Sequence, residues 1–188
     1  MEITELLKPN LMIMDLQATD KRGVLDEMIN RLFESGIINN QDVYRQDILK
    51  REQEATTGIG DGIAMPHARN AAVQHPAVLF ARSRTGVDYD ALDGQPAHLF
   101  FMIAVPDHAN DMHLQALAAL SALLLDPELI KQLKDAATPE AVQQLLVAAQ
   151  QKKAAQQAPQ VTATSDRPFL IAVTACPTGI AHTYMAEA

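Results

Sequence analysis

One histidine, His67, follows a segment that is unusually rich in glycine. The segment, ATTGIGDGIAMPHARN, places Gly58, Gly60 and Gly62 ahead of a proline that directly precedes the histidine. Glycine adopts backbone angles closed to other residues, so the loop can bend tightly and direct N–H groups toward an anion. The pattern suits an exposed imidazole held in one orientation, as a nucleophile toward phosphorus or as a base. A plain glycine turn leading into a strand is the alternative interpretation.

Two further residues carry groups that could bind a phosphoryl group on His67. Arg51 lies sixteen positions upstream, near the predicted end of a helix, and its planar guanidinium can bind two phosphate oxygens. His113 lies in the opening turn of a later predicted helix, where backbone N–H groups add positive potential. Spacing alone does not bring these residues together. A solvated surface arginine and an ordinary helix-start histidine are therefore the alternative interpretations.

The elements that must position these residues are predicted from apolar periodicity. Helical spacing predicts five helices, over residues 20–36, 40–54, 110–126, 126–136 and 138–149. Asp126 and Thr138 are predicted to cap the last two. Short apolar runs predict three strands, over residues 11–16, 77–83 and 97–106. Strands and helices mixed around one core indicate an α/β fold.

Composition narrows the classes of protein to which the chain can belong. Its 188 residues suffice for one well-buried domain with some chain left over, and its net charge of −8 argues against nucleic-acid binding. There is neither an apolar run of membrane-spanning length nor a signal-peptide pattern, so the cytoplasm is the expected location. The single Cys176 excludes an intrachain disulfide and a multi-cysteine zinc site; it is either packed or chemically used.

The character of the sequence changes after Ala149. Residues 150–167 are polar and rich in Gln and Ala, which predicts a flexible linker. Residues 168–188 begin a new strand, turn at Cys176 and start a helix near Ile180. Such an opening cannot bury itself, so we expect an unfinished second domain.

The stretches TTGIGDGIAMPHA and DMHLQAL closely resemble the fructose/mannitol-type enzyme IIA domain of the bacterial sugar phosphotransferase system, over about residues 1–149. The resemblance implies a type-2 IIA fold, in which helices flank a mixed β-sheet. It also implies that His67 accepts a phosphoryl group from the phosphocarrier HPr, as part of a protein-N(π)-phosphohistidine–sugar phosphotransferase. Arg51 would be the phosphate clamp, Asp61 an electrostatic partner and His113 a hydrogen-bond donor. No metal or other cofactor is implied.

The tail FLIAVTACPTGIAHTYMAEA resembles the start of a fructose-type enzyme IIB domain. In that family the cysteine before proline takes the phosphoryl group from IIA, and the match assigns this role to Cys176. The motif departs from the family pattern, because YMAEA has one alanine before glutamate where two are usual. The chain ends six residues after His182. We therefore expect an incomplete IIB domain in which Cys176 does not function.

Two functions follow from these resemblances. In the first, the chain passes phosphate from HPr through His67 to a IIB cysteine, for sugar uptake through a membrane-embedded IIC permease that would hold it at the inner membrane. In the second, it is a regulatory module similar to the nitrogen-related IIA proteins, whose phosphorylation state is recognised by binding partners. The linker and the motif TACPTGIAHTY favour the first. The permease would determine which sugar is carried.

Overall fold

The computed structural model describes residues 3–157, in which five successive strands lie between helices along the chain. The helices are α1 (Ile3–Leu6), α2 (Lys21–Glu34), α3 (Gln41–Glu54), α4 (Asn110–Leu123), α5 (Pro127–Asp135) and α6 (Pro139–Gln157). The strands are β1 (Met12–Ile13), β2 (Gly58–Gly60), β3 (Ile63–Ala64), β4 (His67–Arg69), β5 (Ala77–Val87) and β6 (Ala97–Val105). The predicted α/β class, with helices flanking a mixed sheet, is confirmed.

All six strands of the described residues belong to one sheet, with the order β1-β5-β6-β3-β2 and with β4 also paired to β6. β5 and β6 are antiparallel, whereas β3 and β4 both run parallel to β6. β3 pairs with the first half of β6, where Ile63 lies opposite Leu99, and β4 with the second half, where His67 lies opposite Ile103. One edge of β6 therefore holds two short strands in succession.

Helices cover both faces of this sheet. α2 and α3 pack on one face, with Leu79 and Phe100 of the central strands. The other helices pack on the opposite face, where the rings of Phe80 and Phe101 meet at 5.3 Å between centroids. Because both faces are buried there, residues 77–81 of β5 and 99–105 of β6 are continuous apolar runs rather than alternating ones.

Four of the described helices, α2, α3, α5 and α6, begin at polar residues that cap them. The side chain of Asp20 accepts a hydrogen bond from the Gly23 amide, and Asn40 caps α3 in the same way. The caps predicted at Asp126 and Thr138 are confirmed, since each accepts from an amide in the first turn of its helix. Side-chain oxygens satisfy amides that otherwise have no partner at a helix start.

A buried arginine ties the sheet to the helix layer. Arg82 of β5 is 4% exposed and donates hydrogen bonds to three backbone carbonyls. These belong to Met14 (3.1 Å), Lys134 (2.8 Å) and Ala136 (2.5 Å). The guanidinium thus joins the chain after β1 to the end of α5.

Several boundaries differ from the prediction. α6 continues to Gln157, so residues 150–157 are helical where a linker is predicted, because their Gln, Lys and Ala residues are strong helix formers. Lys153 Nζ also donates a hydrogen bond to the carbonyl of Ala122 in α4. The rest of the predicted linker, the predicted IIB start and Cys176 lie outside the described residues.

The glycine-rich segment forms a hairpin between β2 and β3. Gly60, Asp61 and Gly62 have positive φ angles of 96°, 55° and 76° at its turn. The Asp61 amide donates to the Asp93 carboxylate at 2.9 Å, and the pKa of Asp93 is lowered by amides of Gln95 and Asp61. The loop is predicted to direct N–H groups toward an anion, and the anion that the Asp61 amide contacts is the Asp93 carboxylate of the same chain.

No single helix within residues 3–157 is long and apolar enough to cross a membrane. The helical segments Asp111–Leu123 and Pro127–Asp135 have the length and composition of a membrane span only when taken together, and they are bent by 92° relative to each other.

Candidate active site

His67 is the first residue of β4, just past the point where the edge of the sheet is interrupted. β3 ends at Ala64, and the Met65 carbonyl turns toward the imidazole instead of continuing the ladder. His67 Nδ1 lies 2.8 Å from this carbonyl oxygen. A carbonyl only accepts hydrogen bonds, so Nδ1 carries the proton.

The second imidazole nitrogen is held by Arg51, in the last turn of α3. Arg51 Nε donates to His67 Nε2 at 3.1 Å, and Nη1 donates to the carbonyl of Ala55 at 2.9 Å. A guanidinium N–H only donates, so Nε2 must present its lone pair. Both contacts therefore select the same neutral tautomer, with the proton on Nδ1 and the lone pair on Nε2.

Burial lowers the pKa of His67 below its ordinary value of 6.5, and the positive charge of Arg51 lowers it further. The Met65 carbonyl and the carboxylate of Glu52 act in the opposite direction. The net lowering favours a neutral imidazole at neutral pH. A neutral imidazole with an available lone pair can act as a nucleophile.

His113, the fourth residue of α4, lies against His67. Their ring centroids are 5.3 Å apart, with an angle of 64° between the planes. His113 is 9% exposed, and its buried Nδ1 has no hydrogen-bond partner among the described residues. Burial lowers its pKa to about 4, and the neighbouring His67, Arg69 and Arg51 contribute. The predicted approach of Arg51 and His113 to His67 is thus observed.

The two histidines and Arg51 line a cleft of about 400 Å³. The other lining residues are Asp47, Lys50, Glu54, Ala68, Arg69 and Asp107. The sequence prediction omitted Lys50 and Arg69. The motif HAR contained a signal for Arg69, because residues two apart in a strand point to the same side. Arg51 and Arg69 both lie near enough to His113 for their positive charges to lower its pKa.

Asp61 is not brought to His67. The Gly62 carbonyl accepts from the amides of His98 and Leu99 at the start of β6, whereas His67 lies opposite Ile103. At about 3.3 Å per residue, these positions are about 15 Å apart along the strand. Asp61 instead lines a separate hollow beside α5. The predicted electrostatic partnership between Asp61 and His67 therefore has no geometric basis here.

The arrangement can accept and hold a phosphoryl group on Nε2. A nucleophilic nitrogen, a guanidinium in contact with it and a second imidazole converge at one cleft. Phosphoryl transfer passes through a loose transition state, in which positioning and charge stabilisation do most of the catalysis. Within residues 3–157, no group of three His, Cys, Asp or Glu side chains could hold a metal ion.

Two curated proteins illustrate what the chain is similar to. The PTS system fructose-specific EIIABC component of Bacillus subtilis is 44% identical over 190 residues. That match covers 99% of this chain, but the chain spans only 30% of the Bacillus protein. The PTS system fructose-specific EIIA component of Haloferax volcanii is 37% identical over 145 residues, covering 77% of this chain and 94% of that protein.

A solved structure and a family model agree with these relatives. The nitrogen regulatory protein IIA-Ntr from Neisseria meningitidis superposes with a TM-score of 0.72 and 28% identity, covering 77% of this chain and 98% of that one. The family model described as "Phosphoenolpyruvate-dependent sugar phosphotransferase system, EIIA 2" matches residues 5–149. The chain therefore belongs to the EIIA 2 family of phosphotransferase components.

Proposed function

We propose that His67 accepts a phosphoryl group on Nε2 from phosphorylated HPr and passes it to a cysteine of a fructose-type IIB domain. The observation that carries this proposal is the pair of contacts on the imidazole. The Met65 carbonyl accepts a hydrogen bond from Nδ1–H, and Arg51 donates to the Nε2 lone pair at the cleft.

The transfer follows from this geometry. The Nε2 lone pair attacks phosphorus, the bond from phosphorus to the donor nitrogen breaks, and its electron pair leaves with the donor. The Nδ1 proton stays in its bond to Met65. Before this attack, Arg51 turns its N–H groups from Nε2 to the oxygens of the incoming phosphoryl group, which its planar fork can bind in pairs, and this frees the Nε2 lone pair. In the next step a thiolate attacks phosphorus and the N–P electrons return to Nε2.

The nitrogen that reacts on this chain is Nε2. The reaction class implied by the resemblance refers to phosphohistidine at N(π), which is Nδ1. On His67, Nδ1 donates a hydrogen bond to the Met65 carbonyl. We therefore assign N(π) chemistry to the donor and Nε2 chemistry to His67.

The partners and surroundings follow from the same proposal. Two relatives of the chain are named as fructose-specific, and they support a fructose-class system. In such a system, a IIC permease would hold the complex at the cytoplasmic side of the inner membrane. We propose residues 1–149 as the IIA domain and residues 168–188 as the start of a IIB domain. In a complete IIB domain, Cys176 would be the residue that accepts the phosphoryl group.

A regulatory function is the second candidate. The Neisseria neighbour, named a nitrogen regulatory protein, supports it. In that case phosphorylation of His67 would change the binding of a partner instead of feeding a sugar. The fructose function requires transfer from the phosphorylated chain to a IIB cysteine, so this second step separates the two functions.

The experiment incubates the chain with phosphoenolpyruvate, enzyme I and HPr and measures bound phosphate. We expect one acid-labile, base-stable phosphate, because an N–P bond to imidazole hydrolyses in acid. His67→Ala should abolish labelling, whereas His75→Ala, at an exposed histidine outside the cleft, should leave it unchanged. Labelling that persists in folded His67→Ala protein would overturn the proposal.

A further inference from the structure

Next to Arg51 in α3 lies a buried carboxylate that makes no contact with the cleft. The side chain of Glu52 is 5% exposed, yet its two oxygens accept three hydrogen bonds and form one ion pair. Oε2 forms an ion pair with Lys21 Nζ at 3.1 Å and accepts a hydrogen bond from the Thr57 amide at 3.2 Å. Oε1 accepts from the Tyr89 hydroxyl at 3.1 Å and from the Thr57 hydroxyl. The carboxylate is thus fully satisfied inside the protein.

These donors come from three separate parts of the chain. Lys21 begins α2, Tyr89 follows β5, and Thr57 lies between α3 and β2. Lys21 Nζ also sits 4.7 Å from the centre of the Tyr89 ring and 3.3 Å from Asp90. Glu52 therefore fixes the end of α3 against the neighbouring elements.

A path of backbone hydrogen bonds leads from Glu52 to the imidazole. The Thr57 amide donates to Glu52, and the Thr57 carbonyl accepts from the Met65 amide at 2.9 Å. The Met65 carbonyl accepts from His67 Nδ1. The position of the atom that selects the tautomer is thus set through Thr57.

The other imidazole contact depends on the same turn. Arg51 Nη1 is held by the carbonyl of Ala55, which lies between Glu52 and Thr57 in sequence. A shift of this turn moves the Ala55 and Met65 carbonyls together. Both nitrogens of His67 would then lose the partners that orient them.

We infer that Glu52 is a positioning residue, whose carboxylate holds the 55–57 turn so that Arg51 and Met65 keep His67 in its reactive tautomer. The inference rests on the proposed phosphoryl transfer only for its rate measurement. The inference requires a side chain at position 52 that is long enough to accept the hydrogen bond from the Thr57 amide. A negative charge alone is not sufficient.

Two substitutions separate reach from charge. Glu52→Gln keeps the length: its amide oxygen can accept from Thr57 N–H and Lys21, while its NH₂ donates to the two hydroxyls, which can rotate to accept. Glu52→Asp keeps the charge but withdraws the carboxylate by about 1.5 Å, one carbon–carbon bond. Glu34→Gln and Glu34→Asp, at the exposed end of α2, are the matched controls.

Two measurements are made on each folded variant. Long-range ¹H–¹⁵N NMR of His67 reports which ring nitrogen carries the proton, and rapid-quench kinetics reports transfer from phosphorylated HPr. For Glu52→Gln we expect the Nδ1–H tautomer and a rate within about threefold of the unmodified chain. For Glu52→Asp we expect mixed tautomers and a rate at least about tenfold lower, since an orienting charge-assisted bond is lost.

We expect Glu52→Gln to keep more of the Nδ1–H tautomer and a higher transfer rate than Glu52→Asp. This order distinguishes positioning from electrostatics. Any other order, including equal behaviour of the two variants, would overturn the inference. The tautomer is read without phosphoryl transfer, so it tests Glu52 independently of the proposed function. If His67→Ala still accepts phosphate, the proposed function fails and the tautomer result stands by itself.

Discussion

Replacing Arg51 with lysine preserves a positive charge beside His67 but removes the planar fork of donors. In the folded chain Arg51 uses Nε for His67 and Nη1 for the Ala55 carbonyl, at 3.1 and 2.9 Å. The single Nζ of lysine can approach either the phosphoryl group or the carbonyl. It cannot hold both in the geometry that the guanidinium provides.

The size of the effect follows from the bonds lost. At least one charge-assisted hydrogen bond to the transferring phosphoryl group disappears, which is worth about 1.5–3 kcal/mol. On a transition state, that free energy corresponds to a rate about 10- to 150-fold lower. Arg51→Lys should therefore slow phosphorylation of His67 by this factor without unfolding the chain.

The assay is rapid-quench transfer from ³²P-labelled HPr, with thermal unfolding as the test of folding. Arg45→Lys is the matched control: this arginine of α3 also uses two nitrogens, for Asp26 and Asp42 at 2.6 Å each, but lies outside the cleft. It should transfer at the unmodified rate. If Arg51→Lys transfers at that rate too, or Arg45→Lys is equally slow, the fork is not the phosphate clamp.

Two further substitutions, His113→Ala and Arg82→Met, have expected effects on transfer and on stability. His113→Ala should slow transfer without stopping it, and it should alter the acid response. Because burial lowers the pKa of His113 from 6.5 to about 4, the unfolded chain binds this proton first, so the free energy of unfolding decreases as pH falls between these values. Urea unfolding across this range should show a shallower decrease for His113→Ala; identical slopes would refute this. Arg82→Met, which leaves three carbonyls without their donor, should lower the free energy of unfolding by about 3 kcal/mol. Arg84→Met, at a side chain 72% exposed, should lower it by less than about 1 kcal/mol, and equal effects in urea unfolding would contradict this.

Local signals in the sequence predicted the elements that depend on local interactions. Helix starts at Asp20 and Asn40 are caps made within three residues, and the apolar periodicity of α2 reflects one buried face. The sequence also identified Arg51, His67 and His113 correctly as neighbours, through the resemblance rather than through spacing. Spacing could not do so because α3, β4 and α4 are separate elements that the tertiary fold brings together.

The glycine-rich segment shows why the rest could not be predicted. Glycines indicate that a chain turns, but not which part of the sheet the turn reaches. Here the turn pairs with the start of β6, and Asp61 goes with it, whereas the histidine five residues after Gly62 pairs near the end. For residues 150–157, a linker is predicted where the structure has a helix. A polar Gln/Ala composition is common to linkers and to exposed helices, so it could not separate the two.

The two helix layers contribute different parts of one reaction centre. Arg51 belongs to α3 on one face of the sheet and His113 to α4 on the other, while His67 sits on the sheet edge between them. A slide of α3 by about half an ångström would lengthen the 3.1 Å contact beyond the range of a hydrogen bond. Under the proposed function, the rate at which His67 accepts a phosphoryl group would therefore depend on the alignment of both helix layers. A chain that keeps its helices but loses close side-chain packing, as in a molten globule, would stop accepting phosphate well before its helical content declined.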